Sequence, residues 1–206
     1  PNFRYQHRFL NLTHLQKSKR RKQSLKIKHM SEKQMLVFDC ETNGLLHDVS
    51  TIHCIAIYDA QKEKTFVFND EGGDCSPITE GLHWLTEADL IVGHNIIGYD
   101  LPVLRKTYSW FKPNGDVIDT LTLSRMYHPN LMEIDKKRAW QRMPLQLYGR
   151  HSLEAYGYRL GEYKGEFGKT TDWSDWSQEM QDYCVQDVQV TTKLCEHFRP
   201  LMTRVD

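Results

Sequence analysis

The chain has 206 residues, of which 39% are hydrophobic and 11% aromatic, with 27 cationic and 27 acidic side chains. This length can bury a substantial core, the aromatic content excludes a disordered chain, and the apolar runs are far shorter than a membrane span, so no membrane partner is expected. The zero formal charge is uneven: residues 1–30 hold nine cations and no acid, leaving 18 cations against 27 acids, about −9, over residues 31–206.

Residues 1–30 lack apolar periodicity and open on Pro1, and they read as a basic, disordered extension. Three origins stay open for it: a nucleic-acid arm, a nuclear or organellar address, or translated sequence ahead of a start at Met30. No charged-then-apolar signal opens the chain. Cys40, Cys54, Cys75, Cys184 and Cys195 form neither C-x-x-C pairs nor an even set, so a reducing compartment, the cytoplasm, is expected.

From residue 31 a single domain is expected, and its elements follow in order. Met35-Leu36-Val37-Phe38 reads as a short buried strand, with a turn at Asn43-Gly44 beyond it. Ile52 to Tyr58 and Thr65 to Phe68 continue it as an antiparallel meander. Ile78, Leu82 and Leu85 carry helical spacing into the apolar run Leu90 to Gly93, as a crossover helix feeding a parallel strand would. Helices are predicted over Leu101 to Tyr108, Leu121 to Tyr127 and Ser152 to Tyr158, with a short strand at Val117-Ile118. Ser177, with Glu179 in the first turn, starts a final helix to about Phe198. The fold class is therefore α/β, a mixed sheet flanked by helices.

Asp39 and Glu41 stand where a buried strand would not ordinarily carry charge. No lysine or arginine occurs in the ten residues after Asp39, and a buried carboxylate needs a partner, which points to a metal cation. In the last helix Tyr183, Asp187, Val190 and Leu194 share one stripe. That turns Asp187 toward the core, unless it pairs with a distant lysine or sits at the stripe's edge. Tyr183 is either part of a site or a packed core aromatic. Asp100 follows the polar turn Gly93 to Tyr99 and precedes a helix, so it is either an N-cap or a third site carboxylate, and Asn95 in that turn could bond local backbone instead of a ligand. Lys136, Lys137, Arg138, Arg142 and Arg150, interleaved with Trp140 and Tyr148, form a basic segment between helices that suits either a single-strand-binding loop or a solvated charged loop. Trp173 and Trp176 read as core or staple residues, and the ten histidines show no zinc spacing.

Three segments together carry a resemblance: Asp39-Cys40-Glu41-Thr42-Asn43-Gly44-Leu45, then Asn95-Ile96-Ile97-Gly98-Tyr99-Asp100, then Tyr183-Cys184-Val185-Gln186-Asp187. In order and spacing they resemble the three motifs of the DEDDy branch of the DnaQ-like 3′–5′ exonucleases. Ile118 to Arg125 and His151 to Glu162 are further similar to the proofreading domain of podovirus-type family A phage DNA polymerases. The resemblance covers about residues 35 to 198. It implies an RNase H-like fold and two Mg2+ or Mn2+ ions on Asp39, Glu41, Asp100 and Asp187. Asp39 and Asp187 would hold the ion that activates water, Asp39 would bridge to the second, Glu41 would aid the first, and Asp100 would act from behind the direct ligands or through water. Tyr183 would orient the attacking water. It also implies single-stranded or frayed DNA 3′ ends as substrate, a polymerase domain in cis, and the host cytoplasm if the chain is phage-encoded. A free-standing DNA or RNA exonuclease, or a catalytically silent nucleic-acid-binding module, remain alternatives.

Overall fold

The computed structural model describes residues 34–72, 74–162 and 172–202. The extension expected over residues 1–30 lies outside the described residues. Strands β1 (Met35–Thr42), β2 (Ile52–Asp59) and β3 (Lys64–Asn69) form the antiparallel meander. Strands β4 (Leu90–Gly93) and β5 (Asp116–Asp119) add in parallel beyond β1, giving the order β3-β2-β1-β4-β5. Helix α1 (Ile78–Glu87) supplies the crossover to β4, and α2 (Asp100–Thr107) connects β4 to β5. Then follow α3 (Thr120–Tyr127), α4 (Leu131–Arg138), a 3-10 turn (Leu145–Leu147), α5 (Leu153–Leu160) and α6 (Gln178–Met202).

Alternation along the strands divides the core between two faces. Leu36, Phe38 and Cys40 join Ile55, Ile57 and Ile91 under the apolar stripes of α1 and α2. Val37, Cys54, Ala56 and Val92 meet Cys184, Val188 and Cys195 of α6 on the opposite face. A third cluster packs Leu131, Leu153 and Tyr156 against Val190, Leu194 and Phe198 of α6. The starts of α3, α5 and α6 are closed by polar side chains, which meet orphan backbone donors there. Asp119 accepts from Leu121 and Thr122 N–H, Ser152 from Ala155 N–H, and Ser177 Oγ from Met180 N–H. Gly161, at φ 76°, ends α5 in the left-handed conformation that glycine permits.

Two expectations are corrected. The first strand does not stop at Phe38: pairing with β2 carries it through Asp39 and Glu41 to Thr42, with a register shift between Glu41 and Thr42. The second correction concerns the basic segment. Lys136, Lys137 and Arg138 form the last turn of α4 rather than a loop, where cations suit the helix dipole. Buried Asp135 anchors this part of the chain: it pairs with Arg159 at 2.7 Å and accepts from Trp140 Nε1 and Gly149 N–H. Arg159 also donates to the Arg150 carbonyl, and Arg138 lies over the Trp140 ring at 4.4 Å. Arg142 and Arg150 remain exposed in the connection to α5.

Gly93, at the end of β4, sets the approach of the following turn to β1. A Cβ there would stand 2.1 Å from Ile96 Cγ2 and 2.9 Å from the Phe38 carbonyl oxygen. Gly93→Ala is expected to destabilise by about 1–3 kcal/mol, as overpacking does, and to lower Tm by roughly 2–10 °C for a chain of this size. A thermal melt matching the wild type would show that the turn can move away from β1 without cost.

Candidate active site

The site forms at the carboxyl ends of the three parallel strands, where ligands gather in open α/β sheets. Asp39 and Glu41 lie two residues apart on β1, so both project from the face covered by α6. Glu41 is buried and Asp39 half-buried. One oxygen of each, with Cys184 Sγ from α6, lies within 4.8 Å of the others. Among the described residues this is the one group of three or more metal-capable side chains so tightly clustered. Cys184 donates to the Asp39 carbonyl at 3.4 Å and approaches its Oδ2 at 3.8 Å. The thiol is pushed well up by burial first, then by Cys54 and the charges of Asp39 and Glu41, so it stays protonated.

Asp100 enters from the other side of β1. Pairing of β4 with β1 ends at Val37, which leaves the Cys40 N–H beyond that ladder. Asp100 Oδ1 accepts from this N–H at 3.3 Å and from Cys40 Sγ at 3.2 Å. Helix α2 starts at Asp100 with Tyr99 as its cap and no side-chain cap bond, so the N-cap account of Asp100 gives way to a tie across to β1. Burial raises the Asp100 carboxyl to about 6, against its Cys40 hydrogen bonds, with the charge of Asp119 adding to the rise.

The turn before Asp100 is shaped by Asp119, buried at the end of β5. Its carboxylate accepts from Asn95 and Ile97 N–H at 3.0 Å each while capping α3. Asn95 adopts φ 65°, and its carbonyl accepts from Gly98 and Tyr99 N–H. Asn95 is thus a turn residue through its main chain, and it is exposed. Tyr99 donates to the Gly44 carbonyl at 2.5 Å and lies 2.5 Å from Thr42 Oγ1. Lys106 Nζ donates to the carbonyls of Leu46, His47 and Val49 at 3.0–3.1 Å. These bonds fasten the loop after Glu41 to the helix that starts with Asp100.

On α6, Asp187 is 8% exposed, and Val190 and Leu194 of its stripe are fully buried. The inward stripe read from spacing is therefore present. Tyr183, one turn earlier, stands edge-on to Trp173 at 6.3 Å. Its phenol is pushed up to about 12 by burial first, then by Glu41 and Asp39, then by Glu154 of α5. Those causes put Tyr183 within electrostatic reach of both β1 carboxylates. The structure thus brings Asp39, Glu41, Asp100 and Tyr183 to one strand end, with Asp187 on the adjoining helix face. Lys136, Lys137, Arg138, Arg142 and Arg150 belong to the separate α4–α5 region. Sequence reasoning assigned no role to Cys184, Asp119, Tyr99 or Lys106, although Cys184 and Tyr99 lie within the motif segments and Asp119 within the Ile118 to Arg125 stretch.

Residues 36–199 match a family described as the RNase_H superfamily. The chain is 36% identical to a DNA-directed DNA polymerase of Enterobacteria phage T3 and 35% identical to that of Escherichia phage T7, each over 185 residues. Each alignment covers 79% of this chain and 26% of the relative, so the chain spans about a quarter of the curated relatives' length. Its fold resembles a solved structure of Brucella melitensis NrnC with bound Mg2+, at TM-score 0.51 and 17% identity, covering 84% of this chain and 77% of that one.

The high Asp100 pKa sets a pH dependence for the metal-free protein. The folded chain keeps this proton up to about pH 6, whereas an unfolded chain releases it near pH 4. Stability must therefore fall as pH rises between those values, by at most on the order of 3 kcal/mol. In EDTA, Asp100→Asn should be more stable than wild type at pH 7.5, with the gap closing toward pH 4. Urea unfolding at both pH values checks this, and a variant no more stable at pH 7.5 would contradict it.

Proposed function

The chain belongs to the RNase H superfamily, and on that premise we propose that its domain over residues 31–206 is a metal-dependent 3′–5′ exonuclease that removes nucleotides from DNA 3′ ends. The observation that carries the reading is the pair Asp39 and Glu41 on the α6 face of β1, with Asp100 tied to the intervening Cys40 and Tyr183 coupled to both acids. Similarity to phage DNA polymerases supports proofreading as the setting, with a polymerase domain in cis.

The donor set fits hard divalent cations, Mg2+ or Mn2+, which take oxygen ligands. Two carboxylate oxygens lie within 4.8 Å of one another, and Asp100 has a carboxyl near 6 that a cation would return to its charged form. Asp39, Glu41, Asp100 and Asp187 would hold two such ions. Bound there, they supply a more acidic water and neutralise charge growing on the phosphate and the leaving 3′ oxygen.

The chain's own groups do the rest. Tyr183 cannot act as a base at neutral pH, because its phenol is held protonated up to about 12. It can donate a hydrogen bond and orient the attacking water. Asp100, fixed on the Cys40 N–H, keeps the start of α2 in register with β1. Exposed Asn95 and the cations Lys136, Lys137, Arg138, Arg142 and Arg150 are assigned to the nucleic-acid strand, with the Arg138–Trp140 stack as a platform for a base. A frayed 3′ end, already unpaired, reaches a strand-end site without giving up stacking worth a few kcal/mol.

Mg2+ or Mn2+ should raise Tm above its value in EDTA by several degrees, because the ions bind the folded state and relieve carboxylate repulsion. A melt that does not move at millimolar metal would remove the metal site. Activity is tested by degrading end-labelled single strands, paired duplexes and mismatched duplexes at two salt concentrations. Stepwise loss from the 3′ end, fastest on unpaired DNA and slowed by salt, is the expected pattern. Asp187→Ala should cost about a thousandfold in single-turnover rate and Tyr183→Phe only about tenfold, at roughly 1.4 kcal/mol per decade. Trimming from 5′ ends, internal nicking, a preference for RNA, or binding with no hydrolysis would each overturn the reading.

A further inference from the structure

His128 ends α3 and His197 lies near the end of α6, and their Nε2 atoms face each other at 3.2 Å. Two nitrogens bound to one tetrahedral zinc ion, each at about 2.0 Å, stand about 3.3 Å apart. The pair therefore already has the spacing of a chelate.

Both rings are held by the same support. Fully buried Phe198 carries the His128 ring tilted by 39° at 5.6 Å and the His197 ring edge-on at 5.2 Å. Phe198 is itself flanked by Tyr127 and Tyr156. The His128 backbone is fixed as well, with its N–H donating to the Ser124 carbonyl at 2.9 Å. Ligand binding would thus order little that is not ordered already. Burial first, and the neighbouring His197 next, hold His128 below the ordinary histidine range. Without metal one Nε2 donates to the other across this 3.2 Å hydrogen bond, and a cation would take the place of the shared proton, with the donor ring moving its proton to Nδ1.

We propose that His128 and His197 form a second metal site, for borderline transition-metal cations such as Zn2+, Ni2+ or Cu2+, that clips the end of α3 to α6. Imidazole suits these ions, whereas Mg2+ prefers oxygen. Among the described residues no third histidine, cysteine or acid completes the pair, so water fills the other positions. His197 lies ten residues beyond Asp187 on α6, roughly 15 Å along the helix. The clip is therefore distinct from the carboxylate centre.

The test uses the full chain in excess Mg2+ with one equivalent of Cu2+, read by electron paramagnetic resonance. Hyperfine coupling to two imidazole nitrogens is expected. His197→Gln and His128→Gln should each reduce it to one nitrogen or none, and half-maximal Zn2+ stabilisation in melts should need roughly tenfold more Zn2+ or above. His197 is exposed, so its variant should fold and keep Mg2+-dependent turnover. A wild-type spectrum with oxygen ligands only, or two nitrogens persisting in His197→Gln, would overturn the proposal.

Discussion

Charge repulsion among carboxylates with little access to water is the constraint on which the rest of this structure turns. Three buried aspartates meet it in different ways. Asp135 is held below the usual carboxylate range because its bond to Arg159, with Gly149 N–H and Trp140, outweighs burial. Asp59 is likewise lowered against burial, by Lys62 and backbone N–H groups. Asp100 is given a thiol and two backbone N–H groups, that of Cys40 and its own, and burial wins, leaving it near 6. The first two are structural acids provided with a cation. The third is given no cation among the causes of its shift, and the charge of Asp119 adds to the rise, which makes it a candidate site group rather than one half of a structural ion pair.

The frame around that region is made stiff by hydrogen bonds that bridge elements remote in sequence. Asp119 joins the end of β5 to the Asn95 turn and to α3. Tyr99 and Lys106 join α2 to the loop that follows β1. Asp100 closes the circuit onto Cys40. Each tie uses a backbone group beyond the end of a ladder or helix, where a polar partner is required anyway. The groups that satisfy the chain ends thereby also set the spacing of the acids, so local folding and site geometry rest on the same bonds.

Much of this was legible in the sequence because it depends on short periods. Alternation in Val37, Asp39 and Glu41, and the 3.6-residue stripe of Tyr183, Asp187, Val190 and Leu194, needed no long-range knowledge. The family match and the five-stranded sheet bear out the α/β, RNase H-like reading. Helix α4 escaped because it has almost no apolar stripe: only Leu131 and Asp135 of its eight residues are buried. Its anchor is an ion pair with Arg159, 24 residues away, which no periodicity announces. Cys184 escaped for the same reason, since its contact with Asp39 spans 145 residues. The extent of β1 was underestimated because the apolar run ends at Phe38, whereas β2 pairs with it through both acids.

Tyr183 shows how the same constraint divides labour between residues. A phenol among carboxylates cannot ionise without adding to the repulsion, so burial and the charges of Glu41 and Asp39 together hold its proton. A side chain that would be a poor base in water becomes a poorer one here and, for that reason, a dependable hydrogen-bond donor across the physiological range. The two thiols, Cys40 and Cys184, are protonated by the same surroundings. Uncharged donors therefore stand among the acids at this strand end. On the proposed reading a bound cation would add positive charge among these acids, and stability of the strand end would then depend on occupancy: binding to the folded state would raise stability and give the strand end a means to hold a phosphate.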